Sequence, residues 1–115
     1  MAKVEITRFL FEEIQKRFKG GAHEIIDLLE SLEANPHKGK ILTQISGILI
    51  KELRHNNFRF YFIVDGNKIK AIEEKELVNL LIKFIAMSDK KDQQKTIEQI
   101  KNFLRTFGRE AFKRE

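Results

Sequence analysis

Apolar positions recur along this chain at two spacings, and the switch between them divides it. Residues 1–6 form a short apolar and charged opening suited to an edge strand. From Arg8 onward, Phe11, Ile14 and Phe18 recur every three or four residues, the spacing of one helix face. Gly20-Gly21 stops that helix. Ile25, Ile26, Leu28, Leu29 and Leu32 then draw the stripe of a second helix. It ends at Asn35-Pro36, because the residue before a proline avoids the α region. Two helices joined by two glycines predict an α-hairpin.

Beyond Gly39 the period becomes two. Residues 48–54 read as a strand and His55-Asn56-Asn57 as a turn. Phe58, Phe60, Phe62 and Val64 then alternate with Arg59, Tyr61 and Ile63. Asp65-Gly66 is a hairpin signal, which predicts a returning strand over residues 68–72 and a solvated turn over 73–76. Residues 77–87 read as the last and most apolar strand, central and buried, with Asn79 and Lys83 on one face. Ser88-Asp89 suits a cap. Ile97, Ile100, Phe103, Leu104 and Phe107 trace a final helix up to Gly108, before a basic tail over residues 109–115. The predicted class is α+β: a small antiparallel sheet with two N-terminal helices and a C-terminal helix, the helices packed on one sheet face.

Composition narrows the setting. The 115 residues, 42% hydrophobic and 34% charged, suit one globular domain over residues 1–115, without linker, repeat or low-complexity segment. The chain has no cysteine, which excludes disulfides and thiolate metal sites. No apolar run reaches the length of a membrane span, and Glu5, Arg8, Glu12 and Glu13 interrupt any N-terminal signal region, so a cytoplasmic location is expected. A net charge of +5 favours anionic partners.

Candidate chemistry gathers on the strands. Lys51, Arg54, His55, Arg59 and Tyr61 lie on or between two of them, and Lys83 lies on the last. Cations beside a phosphodiester stabilise charge that develops in the transition state, and a phenol or a perturbed lysine can move a proton. The alternative is a solvated open sheet face. Strand parity separates Lys51, which goes with Leu49 and Leu53, from Arg54. Lys90 and Lys91 sit between the last strand and the last helix, where a loop can bring them beside the sheet; the alternative is a solubilising loop. His23, His37 and His55 lack metal-ligand spacing, and no nucleophile constellation or phosphate loop is present.

Several pieces in fixed order resemble the RelE/ParE superfamily of toxins, nearest its HigB-like branch, which includes phage proteins. They are residues 29–39, from Leu29 through Asn35-Pro36-His37-Lys38-Gly39; Ile50-Lys51-Glu52-Leu53-Arg54; residues 58–69, from Phe58 through Asp65-Gly66; and residues 84–97 with Lys90-Lys91-Asp92. The resemblance spans about two-thirds of the chain. It implies a RelE-like fold, similar to microbial ribonucleases, and the toxin of a type II toxin–antitoxin system. It further implies a ribosome-dependent mRNA endoribonuclease that attacks the phosphodiester with the ribose 2′-OH, needing no metal or other cofactor. The implied partners are a cognate antitoxin, mRNA and rRNA, without a membrane. By position, Lys51, Arg54, Arg59 and Lys83 are the implied catalytic residues, with Arg54 and Arg59 on the phosphate and Lys51 or Lys83 handling protons. Lys90, Lys91 and His55 are the implied RNA contacts. The chain departs from the pattern in a longer segment over residues 68–76, and in Met87 and Ser88 where some members have a histidine or tyrosine. ParE-like relatives share the fold, lack the ribonuclease chemistry and act on DNA gyrase; a degenerate toxin would serve only as an antitoxin- or RNA-binding module.

Overall fold

The computed structural model describes residues 2–114; Met1 and Glu115, the outer ends of the predicted first strand and basic tail, lie outside the described residues. Strand β1 (Ala2–Ile6) leads into helix α1 (Arg8–Arg17). The Thr7 hydroxyl accepts from the Leu10 amide at 3.3 Å and caps this helix. Gly20, at a φ of +83°, turns the chain into α2 (Ala22–Glu30). Leu10, Ile14, Ile25 and Leu29 are the buried stripe of this pair. The predicted stripe holds for Ile14, Ile25 and Leu29, but Phe11 is exposed and Leu10 is buried in its place.

The chain then crosses to the far edge of the sheet. Gly39 is required there: its φ is +103°, and a Cβ would stand 2.8 Å from the Phe62 ring. Strand β2 (Lys40–Ile45) follows, then β3 (Ile48–His55) and β4 (Phe58–Asp65). Ser46 and Gly47 both have positive φ and join β2 to β3 in a two-residue hairpin; Asn56 and Asn57 join β3 to β4. Helix α3 (Gly66–Glu73) precedes β5 (Leu80–Asp89), and α4 (Gln93–Phe107) precedes a short 3₁₀ turn, Gly108–Phe112. The sheet order is β1-β5-β4-β3-β2. Its pairings are antiparallel except β1 with β5, which run parallel.

Four expectations change. The sheet is mixed, because β1 joins beside β5 after the meander has returned from the opposite edge. Residues 68–72 are helical, not a returning strand: the Asp65 carboxylate accepts from the amides of Asn67 at 2.9 Å and Lys68 at 3.1 Å, and so starts α3. Strand β2 escapes period-two reading because its register slips between Ile41 and Thr43. The helices cover both sheet faces. Phe60, Phe62 and Val64 pack under α1, α2 and α3 with Leu53, Ile82 and Phe84; Tyr61 and Ile63 pack under α4 with Ile48, Ile50, Ile97, Ile100 and Leu104. Strand β4 is apolar on both sides, so leaving either open to water would forfeit about 1.5–3 kcal/mol for each large side chain. Among the described residues, no helix is long and apolar enough to cross a membrane.

Candidate active site

The face of the sheet beneath α4 carries a polar cluster at one end. Its members come from three adjacent strands, and register assigns each place. Across β3 and β4, Glu52 stands opposite Tyr61 and Arg54 opposite Arg59; across β4 and β5, Arg59 stands opposite Ser88. Directly opposed positions hold their Cβ atoms about 4.5–5.5 Å apart, so the five side chains share one patch.

Its interior is crowded with polar atoms. Glu52 is only 2% exposed and Arg59 6%, while Tyr61 is fully buried. The Tyr61 hydroxyl and the Ser88 hydroxyl are 2.8 Å apart and hydrogen bonded. Arg54 Nε donates to Glu52 Oε1 at 3.3 Å, and the Arg54 side chain reaches solvent. Arg59 Nη1 donates to the Asn57 carbonyl at 3.4 Å, a long bond. Two atoms remain buried with no hydrogen-bond partner among the described residues: Glu52 Oε2 and Arg59 Nε. Burying either without a partner costs free energy on the order of 1–3 kcal/mol or more. Two guanidinium groups facing each other across a strand pair also repel. One carboxylate offsets one of them, which leaves the patch with an excess positive charge.

The phenol is tuned in one direction. Burial pushes the Tyr61 hydroxyl up from its ordinary value, with nearby Glu52 adding to the effect; the Ser88 hydrogen bond and the charges of Arg59 and Arg54 oppose it without cancelling it. The group therefore stays protonated at neutral pH and serves as a donor, not a base. The patch thus combines an acceptor carboxylate, two phosphate-sized cation groups and a hydroxyl pair able to give up a proton. Ser88 also lines a polar cavity of about 190 Å³ with Arg17, Asp89, Asp92 and Lys95.

The predicted site residues divide into those brought together and those set apart. Arg54 and Arg59 meet directly. Lys90 and Lys91 are exposed in the turn after β5, just beyond the Phe58–Asp89 and Arg59–Ser88 pairs, at the same end of the sheet. His55 ends β3 opposite Phe58, at that end but on the other face. Lys51 is also on the other face: it pairs with Phe62, its ammonium lies 5.5 Å from that ring's centroid, and it donates to the His37 carbonyl at 3.3 Å. A strand projects successive side chains to opposite sides, so Lys51 cannot serve the arginine patch. Lys83 shares the patch's face but stands opposite Ile63, four residues along β4 from Arg59. Its ammonium is buried and donates to the carbonyls of Phe112, at 3.0 Å, and Arg114, with Glu5 4.0 Å away. Lys83 ties the C-terminal turn to the sheet.

Glu52 and Ser88 are what a search for cations overlooks; Tyr61 was among the sequence candidates. The signal for Glu52 was its parity with Arg54. Among the described residues, no group of three or more histidine, cysteine, aspartate or glutamate side chains is placed to hold a metal ion. Compared with known protein families, curated proteins and solved structures, the chain matches none of them.

Proposed function

We propose that the chain is a RelE/HigB-like toxin domain carrying a metal-independent endoribonuclease site that acts on mRNA at the ribosome and is neutralised by an antitoxin. The observation that carries this reading is the Glu52–Arg54–Arg59–Tyr61–Ser88 patch, with a carboxylate oxygen of Glu52 and a guanidinium nitrogen of Arg59 both buried without a partner among the described residues on the same sheet face. Two helices precede the meander and α4 follows it, as the resemblance implies, while α3 interrupts the meander between β4 and β5.

The residues sort into roles by their chemistry. Glu52 takes the proton of the ribose 2′-OH, whose oxygen attacks phosphorus. Arg54 and Arg59 hold the non-bridging oxygens and stabilise the charge that grows on them. The Tyr61–Ser88 hydroxyl pair returns a proton to the departing 5′-oxygen. The products are a 2′,3′-cyclic phosphate and a 5′-hydroxyl, and no electron changes hands. Lys90 and Lys91 hold the RNA backbone at the open end of the sheet.

One observation favours a second reading, a toxin or binding module of the same fold without nuclease chemistry. Glu52 and Tyr61 lie buried beneath α4, and Arg54 is the patch member most open to solvent. Inducible expression in a bacterial host, with primer-extension mapping of cellular mRNA, separates the two. Wild-type protein is expected to arrest growth and leave new ends inside translated codons, and Arg59→Ala is expected to lower cleavage on the order of 10²- to 10³-fold. Arrest without new ends would support a target such as gyrase, and cleavage by a folded Arg59→Ala protein would remove Arg59 from the mechanism.

A further inference from the structure

Lys51 lies on the opposite face from the arginine patch, and its surroundings define a second site independent of the ribonuclease reading. It lines a cavity of about 420 Å³ between β2, β3 and α3, together with Leu49, Ile69, Lys70, Glu73 and His37. That volume falls in the range of about 300–1,000 Å³ that accepts small organic molecules. The lysine itself is only 3% exposed, with its ammonium against the Phe62 ring. On the same cavity His37 Nδ1 lies 3.7 Å from Glu73 Oε1, so an imidazole and a carboxylate stand ready to carry protons. Burial pushes the Lys51 amine down from its ordinary value, and the Glu73 charge opposes this without cancelling it. A desolvated lysine is uncharged more often than an exposed one, and an uncharged amine is a nucleophile.

The lining also limits the ligand. The first amides of α3 are already taken: Gly66 donates to the Gly47 carbonyl, and Asn67 and Lys68 donate to Asp65. The helix start therefore offers no cradle for a phosphate. Ile41, Leu49 and Ile69 of the lining suit an apolar body, and the opposite charges of Lys70 and Glu73 select against a strongly charged one.

We propose that Lys51 is a site of reversible covalent modification by small, largely apolar aldehydes bound in this cavity. The nitrogen lone pair adds to the aldehyde carbon, and the carbonyl oxygen takes up a proton as the nitrogen loses one, giving a carbinolamine. Loss of water leaves the imine, and hydrolysis reverses it. The sequence needs neither oxidant nor reductant, and His37 and Glu73 are placed to move its protons.

The test uses the full chain with 2-hydroxybenzaldehyde as probe, cyanoborohydride to trap the imine, and peptide mapping of every lysine over time. Lys51 is expected to be labelled several-fold faster than the exposed Lys38 and Lys90, and that preference is expected to vanish when the protein is unfolded in urea. Equal rates in the folded protein would overturn the proposal, as would a preference that survives unfolding, because the cavity would then play no part. Folded Arg59→Ala protein is expected to label at Lys51 like wild type, so failure of the nuclease reading and failure of this one are read from different variants.

Discussion

Glu52 and Lys51 are neighbours in the chain, yet the pleat sends them to different chemistry. Lys51 lies on Phe62, whereas Glu52 lies between Arg54 and Tyr61. The proposed role of Glu52 as a base makes Glu52→Gln the sharpest substitution, since it preserves shape and removes only the charge and basicity. Cleavage is expected to fall on the order of 10²- to 10⁴-fold. Stability is expected to move by no more than about 1–2 kcal/mol, because the lost contact to solvent-reaching Arg54 is offset by no longer burying an unpaired carboxylate oxygen. Thermal melts beside the primer-extension assay check both halves, and full cleavage by the folded variant would exclude Glu52 as the base. The Tyr61–Ser88 bond can be examined without any substrate. Tyr61→Phe and Ser88→Ala each remove one end of a buried 2.8 Å hydrogen bond and should each cost about 1 kcal/mol. In a double-mutant cycle by urea unfolding, the pair should show a coupling of about 0.5 kcal/mol or more. Additive effects would mean that the bond contributes nothing net.

Asp65 shows how one residue can start an element and anchor another. Its carboxylate caps α3 through the amides of Asn67 and Lys68, and it pairs with Arg109 of the C-terminal turn. Burial alone would raise its carboxyl; the Arg109 hydrogen bond and the two amides outweigh that and hold it below its ordinary value of 3.8. A depressed carboxyl stabilises the fold above the unfolded-state value and loses that contribution as pH falls through the lower folded-state value. Asp65→Ala should therefore cost about 1–2 kcal/mol at neutral pH, with the gap to wild type narrowing as pH drops below about 3.8. Urea midpoints at pH 7 and pH 3 check the direction; a gap that stays constant would mean that the charge of Asp65 is not what matters. The same residue explains a misreading. Asp-Gly favours both a tight hairpin and a helix start, and the tertiary structure uses the second, while the hairpin falls at Ser46-Gly47. The helix pair was legible from its three- and four-residue spacing, and the interior β5 as an apolar run, although it starts at Leu80 rather than Leu77 and takes in Ser88-Asp89, a pair that suits a cap. Strand β2 was not legible, because its bulge breaks the alternation. Within the site, Arg54 and Arg59 were legible as charges on strands. Glu52 was legible only to someone asking which side chains share the parity of Arg54, and Ser88 only through the register of β5 against β4.

The charge of the molecule matters through where the folded chain gathers it. Lys90 and Lys91 extend the Arg54–Arg59 patch past the end of β5, and Arg17 lies over the Phe58 ring, 5.4 Å from its centroid, at that same end of the sheet. Lys83 is a buried cation occupied with the carbonyls of Phe112 and Arg114, so it adds nothing to this outer surface. An RNA strand laid along the patch would thus meet Lys90 and Lys91 first, as exposed charges that release counterions. Each such phosphate contact steepens the fall of log K with log salt by about 0.7 for single strands. The double variant Lys90→Gln, Lys91→Gln is expected to bind single-stranded RNA more weakly at low salt, with a slope shallower by about 1.4 and an unchanged melting profile. Fluorescence anisotropy across a potassium chloride series measures the slope directly. An unaltered slope would place the RNA elsewhere and separate the arginine patch from any backbone track beside it. A shallower slope with no loss of cleavage once RNA is saturating would assign the two lysines to capture and leave the chemistry to Glu52, Arg54 and Arg59.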